Sequence, residues 1–266
     1  MIIMKKCLEV FRITLGQYFA YRLNFILWRF RMILGLFIIY FLWQSVFEER
    51  ESLFGYSKTQ MLTYILLSSL ISNFVLATRT VDVAGEILSG DIINYILKPI
   101  SFFKYYLARD FTDKLLNIFF ASIEILLIII LFKPPVFFQN NVSVYALFII
   151  FIFLGTLISF FVNLSLSFIG FWSNEIWAPR FIYFILIFFL SGTYFPLDIL
   201  PKPIYYFLLL TPFPYFYYLA TKIYLQGISH NLFVGVLISL IWVYLSYNLA
   251  KFLWQKGLKS YSFFGR

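Results

Sequence analysis

Apolar residues run along this chain in long blocks separated by short, charged breaks. Six blocks, roughly 25–46, 61–76, 115–132, 144–171, 176–194 and 232–254, approach the length of about 20 residues that a helix needs to cross a bilayer core. A further apolar run, 204–224, carries Pro212 and Pro214 near its middle, where each would cost a continuous helix about 3 kcal/mol. It follows Ser191-Gly-Thr-Tyr-Phe-Pro-Leu-Asp-Ile-Leu-Pro-Lys-Pro203, so five prolines and a glycine interrupt a stretch aromatic enough to sit in lipid. Lipid offers no partner for the N–H and C=O groups that such breaks set free, so the segment must be buried against protein or line a water-filled cavity. The pattern predicts an all-α membrane protein: six transmembrane helices, with a re-entrant helical segment over 195–228 between spans five and six.

Charge orients this arrangement. With the amino terminus inside, Arg50, Lys58, Lys133, Lys202 and Lys222 fall on the outer side and the other sixteen Lys and Arg on the inner side. That positive-inside bias predicts a multi-pass protein of the cell membrane with both termini cytoplasmic. Reading 204–224 as another span would instead send Lys251, Lys256, Lys259 and Arg266 outside. Arg29 and Arg31 lie within the first span and are expected to snorkel back to the interface. Trp28, Trp43, Trp172, Trp177 and Trp254, all near span ends, read as interfacial anchors. Ahead of the first span, Leu8, Phe11, Leu15 and Tyr18 recur at helical spacing, which predicts an interfacial amphipathic helix over 1–23.

Composition removes whole classes of function. Hydrophobic residues make up 62% of the chain and charged ones 12%, far from the balance of a soluble domain. The net charge of +9 is spread over loops that face anionic lipid, which accounts for it without nucleic acid. Cys7 is the single cysteine, so no internal disulfide can form; His230, the single histidine, has no second ligand beside it, and no metal site is expected. No Cys and His pair, triad or paired acidic motif points to catalysis by this chain.

The one sizeable inner loop, 79–114, contains Asp82, Glu86, Asp91, Asp110 and Asp113 beside five basic residues. Carboxylates contribute little to orientation, so a loop kept only for topology would not need them. Gly90 can end a first short helix, Asp91 can cap a second over 92–97, and Pro99 disfavours helix at Lys98. Ile87, Leu88, Ile92, Ile96 and Leu97 are then available to a soluble partner, as small amphipathic helices are when they dock into a groove.

Two motifs in this order resemble the permease subunits of ABC-2-type transporters, in particular their six-span bacterial branch. One is Glu86-Ile-Leu-Ser-Gly-Asp-Ile-Ile-Asn-Tyr-Ile-Leu-Lys-Pro-Ile-Ser101, similar to that family's coupling-helix pattern; the other is Ser191-Gly-Thr-Tyr-Phe-Pro-Leu-Asp-Ile-Leu-Pro201 with Pro212-Phe-Pro-Tyr215, before the last span. The resemblance implies a coupling helix after span two that seats in a soluble ABC ATPase subunit through Glu86, Ile87, Gly90, Asp91, Ile92, Tyr95, Leu97 and Pro99. It implies a re-entrant gate shaped by Gly192, Phe195, Pro196, Leu200, Pro201, Pro212, Phe213 and Pro214, and a second permease, identical or related. The chain has no Gly-x-x-x-x-Gly-Lys-Ser/Thr run, so ATP and Mg would be held by the partner and no cofactor by this chain. The expected function is export of an amphipathic or hydrophobic substrate such as a drug, lipid or peptide. The alternative is a non-transport membrane scaffold or an embedded lipid-modifying enzyme.

Glu124 is the only carboxylate deep in a span and must face the bundle interior or be protonated. A structural bond to a neighbouring span and a role in cation or proton contact are both open. Gly155 and Ser159 form a small-x-x-x-small pair, open to packing within one subunit or between two.

Overall fold

The computed structural model describes residues 12–13, 16, 22–97, 101–228 and 232–261. Leu8, Phe11, Leu15 and Tyr18 of the predicted amphipathic helix, with Pro99 and His230, lie outside them. The chain runs from α1 (Arg22–Val46) through a hairpin, β1 (Ser52–Leu53) and β2 (Tyr56–Ser57), into α2 (Lys58–Val75). Two short helices follow, α3 (Asp82–Ser89) and α4 (Ile93–Ile96), then the long α5 (Phe102–Phe132) and α6 (Val142–Ser167), which a 3-10 turn extends over Phe168–Phe171. The remainder is α7 (Trp177–Leu190), α8 (Lys202–Leu209), α9 (Tyr218–Gln226) and α10 (Leu232–Ser260).

Local chemistry sets the joints. Phe54 and Gly55, at φ 54° and 82°, supply the left-handed pair a tight hairpin needs. Ser57 and Gln60 then form a reciprocal capping box that starts α2. Lys133, at φ 47°, closes α5, and the Asn141 side chain accepts from the Ser143 N–H at 2.9 Å to open α6.

Among the described residues, four helical stretches are long and apolar enough to cross a bilayer: Phe25–Val46, Phe102–Phe132, Val142–Phe171 and Phe233–Ser260. The predicted second and fifth spans correspond to α2 and α7, which differ for distinct reasons. The 18-residue α2 carries Thr63, Ser68, Ser69, Ser72 and Asn73, yet Met61, Leu62, Tyr64, Ile65, Leu66, Ile71 and Val75 are buried along it. It packs against α1, α5, α6 and α9. A central helix shielded by protein need not be as apolar as one facing lipid. The helix α7 is apolar but only 14 residues long, about 21 Å.

Three buried clusters hold the bundle. Tyr40, Met61, Tyr64, Leu197 and Tyr218 join α1 and α2 to the proline-broken stretch; Ile71, Phe151, Ile158, Tyr215 and Phe216 join α2 and α6 to it. Val83, Ile87, Ile92, Phe102, Tyr106, Phe168 and Ala250 seat α3 and α4 against α5, α6 and α10.

Three readings from the sequence change. Residues 102–114 belong to the first turns of α5 rather than to a loop. Trp43 is buried and donates its indole N–H to the Tyr194 carbonyl at 2.6 Å, and Trp254 stacks on Phe102 with centroids 4.1 Å apart; both serve internal packing. Arg29 does not snorkel out, because Glu124 offers it a partner inside the bundle.

Candidate functional site

A cavity of about 1240 Å³ opens between α1, α2, α5 and α7. One end meets Asp82 and Glu86 of α3, and the other meets Thr193 and Tyr217 of the proline-broken segment. Both sequence-predicted segments therefore border one space.

At the α3 end, charged side chains lock the short helices to the long one. Arg109 of α5 donates to Asp82 at 2.9 Å and to Glu86 at 3.1 Å, and the Tyr106 hydroxyl also bonds Glu86. Arg79 pairs with Asp113 at 3.4 Å, while its backbone N–H donates to Asp110 at 3.1 Å. Burial lifts the Glu86 carboxyl above its ordinary value, with Arg109 opposing the shift. Lys114 is buried, and its ammonium donates to the carbonyls of Phe74, Val75 and Ala77 while pairing with Asp110 at 3.1 Å. It thereby satisfies carbonyls at the carboxyl end of α2 that have no partner within that helix.

At the other end, aromatic donors take up carbonyls that the helix breaks set free. Tyr64 donates to Gly192 at 2.6 Å, Tyr215 to Leu209 at 2.6 Å, and Trp242 to Leu210 at 3.1 Å. The Tyr217 and Thr193 hydroxyls bond each other. Gly192 stands at φ +80°, and a Cβ there would fall 2.6 Å from the Tyr64 hydroxyl. Asp198 pairs with Lys222 at 2.9 Å and accepts from Tyr56 at 3.0 Å, which ties the segment to the hairpin and to α9. Burial alone would lower the Lys222 ammonium, but Asp198 beside it holds the group above its usual value.

Thr193 and Tyr217 line this second end, and the predicted gate residues stand near them in the chain without lining the cavity. Pro196 and Pro214 are buried, Phe195, Leu200, Pro212 and Phe213 are half-buried, and Pro201 is exposed just before α8. Pro196 leads the 3-10 turn Leu197–Ile199, and Pro212 leads the turn Phe213–Tyr215. No continuous helix covers 204–224, since α8 stops at Leu209 and α9 begins at Tyr218.

The coupling residues divide. Gly90 closes α3 at φ +86°, and Leu88, Asp91 and Leu97 are exposed. Ile87 and Ile92, expected to face a partner, are 2% and 0% exposed: helices of eight and four residues hold only by burying an apolar side in their own bundle. Tyr95 is half-buried against the rings of Tyr105 and Tyr106. Asp91 caps nothing, because its carboxylate takes the Ser89 hydroxyl at 2.6 Å and α4 starts at Ile93.

Sequence reasoning missed the Arg109 clamp, the Asp198 and Lys222 pair, and the Arg29 partner of Glu124. Arg29 reaches Glu124 at 2.7 and 2.5 Å, and also Asn73 at 3.0 Å and Asn117 at 3.3 Å. Two opposite charges in separate predicted spans were the available signal for that pair. Gly155 packs within the subunit: a Cβ there would lie 2.5 Å from the Tyr215 carbonyl oxygen and 2.7 Å from that of Phe216.

In comparison with known families, the family described as ABC-2 family transporter protein matches residues 33–265. No curated protein matches the chain.

Proposed function

The chain belongs to the ABC-2 transporter family, and on that premise we propose that it is the permease half of an ATP-driven exporter. The family makes it a membrane transport subunit. The observation that carries the finer reading is the cavity, bordered at one end by the α3 charge clamp and at the other by the broken segment. In the proposed cycle a soluble ABC ATPase binds the exposed side of α3 and α4, through Leu88, Asp91 and Leu97. Its closure moves α3, and the Arg109 clamp carries that movement into α5. The spans then rock between states open to opposite sides, a two-state change biased by nucleotide. A second permease completes the pathway; α7, whose apolar side chains are mostly exposed, supplies a face for it.

Co-purifying the chain in lipid with a candidate ATPase and measuring hydrolysis tests this reading; an ATPase that neither binds nor responds would sink it. Within such a complex, Glu86→Ala and Gly90→Pro are expected to lower permease-dependent hydrolysis by about tenfold while insertion stays intact. Glu86→Ala removes two bonds that fix α3 to α5, and Gly90→Pro replaces a residue at φ +86° with one confined near −65°. Unchanged hydrolysis in both would refute the coupling role.

The proposed orientation, six spans with both termini cytoplasmic, has its own check. In a chain lacking Cys7, a cysteine at exposed Lys202 is expected to react with an impermeant reagent added outside, and one at Ser260 is not. Reversed labelling inverts the topology.

A further inference from the structure

Among the described residues, the cations that line the cavity are not all neutralised. Arg79 and Arg109 share the three carboxylates there, Asp82, Glu86 and Asp113. Arg31 of α1 and Arg180 of α7 also line it and form no ion pair among the described residues. Asp82, whose field reaches Arg180, is already held by Arg109 at 2.9 Å. Arg180 gives one Nη hydrogen to the Ser167 hydroxyl at 2.5 Å, but its Nε is buried without a hydrogen-bond partner. The Tyr183 hydroxyl, one turn further along α7 on the same face, is buried and unpartnered as well. Arg31 lies over the rings of Trp28 on α1, at 4.7 Å, and Phe184 on α7, at 5.7 Å, so its charge sits where the two helices face each other.

The rest of the space has a different character. Towards the broken segment its walls are mainly Leu36 and Ile39 of α1, Ile65 of α2, and Ile187 and Phe188 of α7, with Ser68, Ser69, Thr193 and Tyr217 among them. Among the described residues, unsatisfied donors and unpaired positive charge therefore lie along α1 and α7 in a space whose walls are mostly apolar towards the broken segment. Its volume suits a drug-sized or single-chain molecule.

We propose that the cavity receives an amphipathic anion. Its phosphate or carboxylate head is held by Arg180, Tyr183 and Arg31, and its apolar tail lies along Ile39, Ile65 and Phe188. An anionic oxygen supplies the acceptor that the Arg180 Nε and the Tyr183 hydroxyl lack, and charge-assisted bonds to a guanidinium are the strong kind. The inference rests on the transport reading for its meaning but not for its measurement.

The test uses the full chain, without any ATPase, in nanodiscs of zwitterionic lipid. Trp28 and Trp177 line the cavity, so their emission reports occupancy. Titration with dodecyl phosphate is expected to saturate at a concentration at least about tenfold below that for dodecyl trimethylammonium. Inorganic phosphate alone is expected not to saturate, which separates an amphipath site from a free-anion site. Arg180→Gln and Arg31→Gln are each expected to weaken dodecyl phosphate about tenfold and leave the cationic probe unchanged, with Arg180→Lys recovering part of the loss. Thermal unfolding of each variant shows whether it is folded. Equal affinity for the two head groups, tight binding of inorganic phosphate alone, or folded glutamine variants that bind dodecyl phosphate normally would each overturn the proposal. A chain that binds dodecyl phosphate as expected yet couples to no ATPase would refute the exporter reading and leave this site standing.

Discussion

Glu124→Leu alone is expected to destabilise the folded protein by about 3–5 kcal/mol, because it strands the buried Arg29 guanidinium. Arg29 would keep Asn73 at 3.0 Å and Asn117 at 3.3 Å, neutral acceptors that do not balance its charge. Replacing both partners, Arg29→Met with Glu124→Leu, is expected to recover most of the loss, since a buried ion pair exchanged for apolar side chains of similar size is often neutral or better. Thermal midpoints of the two single variants and the double variant in one detergent give the coupling directly. If the double variant is no more stable than Glu124→Leu, the two side chains do not act as a pair, and Glu124 has some other role in the bundle.

The second large effect concerns Gly155. Substitution by valine puts a Cβ where the carbonyl oxygens of Tyr215 and Phe216 now stand, 2.5 and 2.7 Å away, and both are backbone atoms that cannot rotate aside. Overpacking of this kind costs about 1–3 kcal/mol or more. It would push α6 away from the broken segment at the point where Phe151, Ile158 and Phe216 pack together. Gly155→Val is expected to lower both the thermal midpoint and substrate transport, whereas Ser159→Ala, at a buried hydroxyl one turn along, changes little. Wild-type transport by a folded Gly155→Val protein would show that the close approach is dispensable.

Much of the architecture was legible because lipid makes strict demands. Apolar length marked the four long helices, and Pro212 and Pro214 ruled out a continuous helix over 204–224 before any geometry was known. What escaped was pairing. Arg29 and Glu124 were each judged against lipid, and only the meeting of α1 with α5 shows that they answer each other. Ile87 and Ile92 form an apolar face, but a pattern on one helix does not say whether its cover is a foreign protein or the chain's own Phe168 and Ala250. The polar residues of α2 hid a central helix behind the profile of a weak span. The motifs marked both ends of the cavity and left out its walls, because α1 and α7 line it with residues that look like ordinary lipid-facing sequence.

The length of α5 has a mechanical side. Its 31 residues form one unbroken rod of about 46 Å, with no proline along it to act as a joint. The Arg109 clamp sits near one end, and Glu124 lies about 22 Å further along the axis. A tilt of about 10° about the middle would swing each tip through about 4 Å, roughly three-quarters of the helical pitch. In the proposed cycle, a stroke that enters at α3 would be carried along this rod from the Arg109 clamp to the Arg29 and Glu124 pair, where α5 is joined to α1.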